Sequence, residues 1–571
     1  MHRETEMTDG TIAAGSNNDQ SASRIPPGGT SAGVTRSAGV VSLAVMASRV
    51  FGLLREMVFA YFFGASRSHV VDAYVMAFRI PNLLRDLFAE GALSSAFVTV
   101  FSEYLVKKDE REAFRLSNLV ATTLIVILGV VVVLGMVFTN QIVGFLASGY
   151  KAVPNKFEDT VYLTRIMMPF ILLVALAAQA MGVLNARGKF GIPAMSSSFF
   201  NIGSIVGGLV FAALMTDPMH PISAIKENPR EGIIGMAYGV LIGGFLQYAV
   251  QWPSLLRAGF RFRPILSLTD PGVRRVFRLM GPAVIGAAAV QVNVMINSSF
   301  ASSIPSAVAW LSYAFRFMQF PIGVFGVAIA TATLPSISRS AALENRSEFK
   351  ETLAGSIRLA FVLTIPSAVG LIVLGRPIVA LLYEHGTVFT SKDTEHTAAA
   401  LAFYAVGLAG YSAVKILAPA FYALGDARTP MAISLASIAV NFVMNWSLVG
   451  VLQERGLALS TSTVAVLNFL LLYALMRRRI GSIEGRETAI AVVKIMLASA
   501  LMAVVCWGLS RSLGNVLPAN FAGRSLLVGV SVGAGAAAFY FASRILGVRE
   551  LRMAIDAVAG RFFRVLRRRQ S

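Results

Sequence analysis

The chain has 571 residues, of which 56% are hydrophobic and 14% charged, with a formal net charge of +20 and a mean hydropathy of +0.67. This lies outside the soluble globular range, leaves no room for a separate soluble domain, and matches a polytopic membrane protein. The basic excess invites a nucleic-acid reading, but many of the cations sit in short loops between apolar spans and in a C-terminal tail, which is the footprint of membrane topology, so no nucleic-acid partner is expected.

Residues 1–36 are rich in Ser, Gly, Thr and Asn without apolar period and read as a disordered tail lacking a cleavable signal peptide. Fourteen apolar stretches long enough to cross a bilayer as helices follow, at 38–63, 70–104, 115–138, 160–186, 193–215, 232–256, 273–300, 306–338, 348–374, 395–424, 429–450, 456–476, 488–510 and 523–546. The expected fold class is therefore all-α, with fourteen transmembrane helices. Alternate loops hold Lys107, Lys108, Arg111, Arg257, Arg261, Arg263 and Arg477 to Arg479 on one side, roughly twice the lysine and arginine of the other, which carries Lys151, Lys156, Lys226, Arg230 and Arg376. Both termini are predicted to be cytoplasmic.

The chain repeats itself. A shift of 237 residues lays Ala77-Phe78-Arg79 on Ala314-Phe315-Arg316, Phe88 on Phe325 and Pro193 on Pro430. Six spans separate the copies, so the halves share one orientation and should be related by an axis along the membrane normal. The domain reading is a cytoplasmic tail at 1–36, a first lobe at 37–257 (spans one to six), a second at 258–478 (seven to twelve), a two-helix appendage at 479–547 and a tail at 548–571. In that last segment Leu551, Ile555, Val558, Phe562, Phe563 and Leu566 form an apolar stripe beside Arg552, Arg561, Arg564 and Arg567 to Arg569, as in an interfacial helix on anionic lipid.

The first two spans carry Arg49, Arg55, Glu56, Asp72, Arg79, Arg85, Asp86 and Glu90. At about 2.5–3.5 kcal/mol per charge at a helix centre, exposing all of them to lipid would cost roughly 20 kcal/mol or more, so they face one another or a wet cavity. Asp72, Arg79 and Asp86 recur every seven residues and fall near one face, with Pro81 expected to kink the helix between them. These charges could simply pair and glue helices together. Against this, Arg316 stands in the place of Arg79 with no acid on its own helix, its neighbours being Phe315 and Gln319. A guanidinium matches phosphate in a bidentate manner and keeps its charge, so a cavity for a phosphate-bearing substrate is expected.

Other features say less. Gln291, Asn293, Asn297, Asn441 and Asn445 read more readily as interhelical hydrogen bonds than as cation ligands. Lys415 could line the cavity or snorkel. Pro169, Pro282, Pro321, Pro366 and Pro419 mark bent or broken helices. Cys506, the single cysteine, reads as a small buried hydrophobe. Catalytic motifs are missing: Gly182 to Lys189 ends in GKF with the wrong spacing for a phosphate loop, the five histidines have no metal-ligand spacing, and there is no nucleophile elbow or HExxH. An enzyme is not expected, and no cofactor.

The runs SRVFGLLRE from Ser48, VDAYVMAFRIPNLLRDLFAEGALSSAFV from Val71, MGPA at Met280, YAFRFMQFPIGVFGVAIATATLPSIS from Tyr313 and LYEHGTVFT from Leu382 closely resemble the MurJ (MviN) family. These are the bacterial lipid II flippases of the multidrug/oligosaccharidyl-lipid/polysaccharide exporter superfamily, and the resemblance covers about residues 38–546. It implies two lobes around a cationic cavity, and a groove at the last two helices that holds a polyprenyl tail. It further implies transfer of undecaprenyl-pyrophosphate-linked disaccharide-pentapeptide (lipid II) to the outer leaflet of the cytoplasmic membrane for peptidoglycan assembly. By resemblance, Arg49, Arg55, Arg85 and Arg316 hold the pyrophosphate. Asp72, Glu90 and Asn82 are their acidic and polar companions, and Glu56, Arg79 and Gln319 complete the cavity or its gating set. This chain has Phe315 and Gln319 where some relatives have Asp and Glu. Its seventh span has no acid where some members carry a sodium-binding one, so no cation site is carried over.

Three rivals remain on sequence grounds: an exporter of another polyprenyl-linked glycan, a non-transporting scaffold among other cell-wall synthesis proteins, and a drug/cation antiporter. The last would favour acids over arginines in the cavity. Coupling to the membrane potential or to a monovalent cation stays open.

Overall fold

The computed structural model describes residues 31–87 and 93–552, and among these the backbone is helical almost throughout, with no strand. Within lipid each backbone N–H and C=O must be satisfied inside the protein, and a helix does this locally.

Helix α1 (Ser31–Phe63) opens the fold. It takes in residues 31–36, expected as part of the tail, because a helix once nucleated gains a hydrogen bond for each residue added and needs no apolar period there. The second stretch, expected as one helix, is split into α2 (Val70–Arg85) and α3 (Ser94–Lys107). The backbone widens to π geometry at Asp86, Leu87 and Leu93, while Pro81 lies inside α2. A wide turn near a proline takes up the room its ring demands and the hydrogen bond it cannot give.

Then come α4 (Glu110–Val137), α5 (Thr139–Leu146), α6 (Lys156–Met167), α7 (Phe170–Ala186) and α8 (Gly191–Met215). They are followed by α9 (Pro221–Glu227), α10 (Pro229–Ala249) and α11 (Trp252–Arg257). Pro169 sits at the junction of α6 and α7, as expected of it. In the second half, α12 (Pro271–Ser302) leads to α13 (Ala307–Pro321), whose last residue opens a π turn at Ile322–Gly326 before α14 (Val327–Ala342). Helix α15 (Arg346–Tyr383) runs on without a break through Pro366. Helices α16 (Ser391–Val406) and α17 (Leu408–Ala423) meet at a 42° bend. The bend falls at Gly407, and Pro419, expected to mark it, lies inside α17.

Helix α18 (Arg428–Ile480) has 53 residues, about 80 Å at 1.5 Å per residue against a hydrocarbon core of about 30 Å. Gln453, at φ 51° and ψ −130°, breaks it into two. Helices α19 (Gly485–Val516) and α20 (Phe521–Ile545) close the described chain. Among the described residues nine helices are long and apolar enough to cross a membrane, or ten with the bent pair α16 and α17 as one.

One apolar cluster joins Phe97, Phe101, Tyr150 and Phe170 to Trp310, Tyr313, Tyr383 and Phe389, so the two halves of the chain share a core. A second cluster gathers α14, α15 and α17 with Ile495, Met502, Cys506 and Phe539 of α19 and α20. Ion pairs fix that last pair onto α15 at both ends. Arg358 of α15 meets Glu484 at 2.6 Å and Glu550 at 2.7 Å. Arg524 of α20 meets Glu384 at 2.9 Å and donates to the Ala380 carbonyl. Of the expected C-terminal stripe only Leu551 and Arg552 are described; Ile555 to Leu566 lie outside the described residues.

Candidate functional site

Three helices build the site. Helix α1 brings Arg49, Arg55 and Glu56, α2 brings Asp72, Arg79, Asn82 and Arg85, and α13 brings Arg316 and Gln319. Between them lies a small cavity of about 50 Å³, partly open to solvent. Arg55, Glu56, Arg316, Tyr74, Phe78, Ser312 and Tyr313 are among its lining residues.

Arg316 is not without an acid, as its own helix suggested. Its Nε lies 3.2 Å from Oε1 of Glu56, and Arg55 Nη2 reaches the same oxygen at 3.1 Å. The partner is on α1, 260 residues away in the chain, where helix spacing gives no hint of it. One carboxylate thus serves two guanidiniums and leaves the trio with a net positive charge. Arg316 keeps 41% of its side chain exposed, against 13% for Glu56, so the arginine can still meet a ligand.

Arg49 and Arg85 lie outside that lining. Arg49 Nη1 donates to the Gln319 carbonyl at 3.4 Å, and its guanidinium fills the space beside Gly323, where a Cβ would come within 2.0 Å of Nη2. It braces the π turn that follows Pro321. Arg85 pairs with Asp86 at 2.9 Å, and Gln291 donates to the other oxygen of Asp86 at 3.2 Å. Arg79 donates to the Ser298 hydroxyl on α12, and Asn82 is half-buried. Glu90 lies outside the described residues, and Lys415 is exposed.

Asp72 belongs to a different assembly, at the end of the bundle that also carries Gly64 and Tyr150. It is 1% exposed. Its carboxylate accepts from Lys156 Nζ at 2.6 Å, from Ser306 N at 3.0 Å and from Ala309 N at 2.8 Å. Ser306 is the residue before α13 and has φ 62°, with no capping hydrogen bond from its own side chain. Asp72 therefore supplies, from the first half, the anion that the N-terminus of α13 lacks. Tyr150 donates to the Asp72 carbonyl at 3.2 Å, and its ring lies 4.1 Å from Lys156 Nζ. Lys156 and Tyr150 escape the sequence reading. Lys156 counts only as a loop cation there, though the need of Asp72 for a counterion is a signal that could have found it.

Two glycines seal the same end. A Cβ on Gly149 would lie 2.6 Å from the Ser302 carbonyl oxygen, and one on Gly64, at φ +68°, would lie 2.4 Å from that of Val388. Tyr313 donates to the Gly64 carbonyl at 3.1 Å.

The amides of α12 and α18 bond to each other. Asn297 Oδ1 accepts from Asn441 at 3.0 Å and from Asn445 at 2.6 Å, while Asn297 Nδ2 donates to Thr461 at 3.1 Å. This is the interhelical hydrogen bonding expected of them. Among the described residues no group of three or more His, Cys, Asp or Glu side chains could hold a metal ion.

The family profile described as "Lipid II flippase MurJ" matches residues 59–524. A protein named "Probable lipid II flippase MurJ" from Buchnera aphidicola (subsp. Acyrthosiphon pisum, strain APS) is 32% identical over 513 residues, which is 90% of this chain and 97% of the relative. The "Lipid II flippase MurJ" of Burkholderia cenocepacia is 36% identical over 444 residues, 77% of this chain and 83% of its own. A solved structure, "Lipid II flippase MurJ, inward closed conformation", superposes with a TM-score of 0.71 at 27% identity, covering 88% of this chain and 98% of that one. An inward-facing multidrug transporter of the MATE family shares the fold at a TM-score of 0.63 and 14% identity, over 78% of this chain and 99% of its own. The chain is a member of the MurJ lipid II flippase family.

Proposed function

We propose that this chain moves lipid II from the inner to the outer leaflet of the bacterial cytoplasmic membrane by alternating access. It is a transporter and not an enzyme, and no cofactor takes part. The observation that carries the reading is the shared carboxylate of Glu56. Arg55 and Arg316 come from the two copies of the repeat and meet over one acid in a cavity. A pyrophosphate brings more charge than Glu56 and suits guanidinium geometry better, so it displaces the acid and bridges the halves.

In this reading the helices make fourteen spans. These are α1, α2 with α3, α4, α6 with α7, α8, α10, α12, α13 with α14, α15, α16 with α17, the two parts of α18, α19 and α20. The first six spans form one lobe and the next six the other, both termini are cytoplasmic, and the end that carries Asp72, the gate end in this reading, faces outward. Helices α19 and α20 flank the groove for the polyprenyl tail, which stays in lipid as the headgroup crosses. With the cell interior negative, outward movement of an anion gains about 2.3 kcal/mol per charge per 100 mV, so the membrane potential favours the loaded step.

The experiment is lipid II exposure at the outer leaflet of cells that rely on this chain alone. Exposure with the native chain and its loss in Arg316→Ala support the reading. Exposure unchanged in both Arg55→Ala and Arg316→Ala sinks the site.

A further inference from the structure

The gate end holds three histidine–carboxylate pairs, His69–Asp159, His220–Asp217 and His396–Glu454. The repeat interval of 237 residues separates Asp159 from His396 and Asp217 from Glu454, and the His220–Asp217 pair is exposed to water. In the first half, Asp159 is satisfied on both oxygens, by His69 Nε2 at 2.9 Å and by Arg230 Nε at 2.8 Å. That carboxylate has a permanent cation. The second half differs. His396 Nδ1 lies 2.7 Å from Glu454 Oε1, while Glu454 is 1% exposed and its Oε2 is buried with no hydrogen-bond partner. Arg455 reaches only to 3.8 Å, on the oxygen already taken.

Few other charges face this pair. Helix α16 brings Lys392, exposed and one turn before His396, Glu395, also exposed, and Asp393, which accepts from Trp310 Nε1 at 2.9 Å and from the Thr390 cap. The end of α15 brings Glu384, which is engaged with Thr394 and Arg524. Helix α12 carries Arg274, Arg275 and Arg278 at its far end and no titratable side chain from 279 to 302. On α13, the indole of Trp310 stacks on the His396 ring at 4.0 Å and 6°.

We propose that His396 and Glu454 form a proton site whose occupancy sets how firmly the gate end is held. With a neutral imidazole, the pair buries a carboxylate whose one nearby cation, Arg455 at 3.8 Å, is half in water and whose Oε2 has no hydrogen bond, which is costly. A proton from the outer water turns the imidazole into a cation, neutralises the pair and adds a cation–π contact to Trp310. Trp310 directly follows Ala309, whose N–H holds Asp72. The proton therefore steadies the first turn of α13 against the clamp. Acid outside strengthens closure, and the effect fades as pH rises and the proton leaves. This rests on the alternating-access reading, with the gate end outward.

The test uses Ser312→Cys, a cavity position, in a chain whose buried Cys506 is replaced by serine. A membrane-impermeant maleimide is applied to whole cells from about pH 5.5 to about pH 8, the range in which histidine titrates. Rates are divided by those in an added Asp72→Asn background, which cancels the pH dependence of the thiol itself. The normalised rate rises about threefold with pH in the native chain. It stays flat in His396→Gln and in Glu454→Gln, and still rises in His69→Gln. A flat native profile overturns the proposal without any variant at His396 or Glu454, as does a rise that survives His396→Gln or disappears in His69→Gln. An Asp72→Asn chain that never labels overturns instead the alternating-access reading beneath it.

Discussion

The carboxylate of Asp72 accepts the backbone N–H of Ala309 at 2.8 Å across 237 positions, the interval at which the sequence repeats. A residue bonded to its own repeat mate lies close to any axis that relates the copies, so this clamp grips where a rocking motion begins. Removing one member of a buried, hydrogen-bonded ion pair costs about 3–5 kcal/mol. Asp72→Ala and Lys156→Met are each expected to shift the population toward an open gate end. Outward labelling of a cavity cysteine checks this, and the double variant should cost less than the sum of the two.

The glycine seal makes a separate prediction. Gly149→Ala puts a methyl group against the Ser302 backbone, and backbone cannot swing aside as a side chain can. The gate end should then fail to close, and growth of a flippase-depleted strain carrying this variant should slow. Gly355→Ala is the control. That position has nothing within 4 Å, and substitution there should leave growth unchanged.

Within the cavity, Arg55→Ala and Arg316→Ala should each abolish complementation at normal expression, because each leaves a single guanidinium that Glu56 can neutralise. Arg85→Ala, whose side chain is paired with Asp86 outside the cavity lining, should act more weakly. Complementation titrated by expression level separates the two classes.

Arg358 is 12% exposed and balances Glu484 and Glu550. Arg358→Ala leaves those acids without their cation and loosens α19 and α20 from α15, at a cost of about 3 kcal/mol. A clear fall in the unfolding temperature of the purified protein is the expected result, with the variant Arg358→Lys falling less.

Much of this is legible in the chain. Hydropathy gives most of the helices, nine or ten of them among the described residues, since a helix that crosses lipid must be predominantly apolar over about 20 residues. Ala77-Phe78-Arg79 and its copy at 314–316 give the repeat, and the charges of α1 and α2 stand out because lipid forbids them. What escapes is pairing at long range. Nothing in the spacing of Glu56 names Arg316, and the need of Asp72 for a counterion does not by itself single out Lys156 among the loop cations, because those partners are chosen by how whole helices pack. The π turns after Asp86 and Pro321 escape for a related reason. Proline tells that a helix is disturbed, while the tertiary room decides where the slack is taken up.

A porter has to let go as well as take hold. On the function proposed above, Glu56, resting between Arg55 and Arg316, would give the unloaded protein a cargo of its own, so that the return journey is not made with bare cations in a greasy wall. On that same proposal, Glu56 would stand beside the headgroup as a rival for its contacts, and release would be an exchange of one anion for another rather than a rupture.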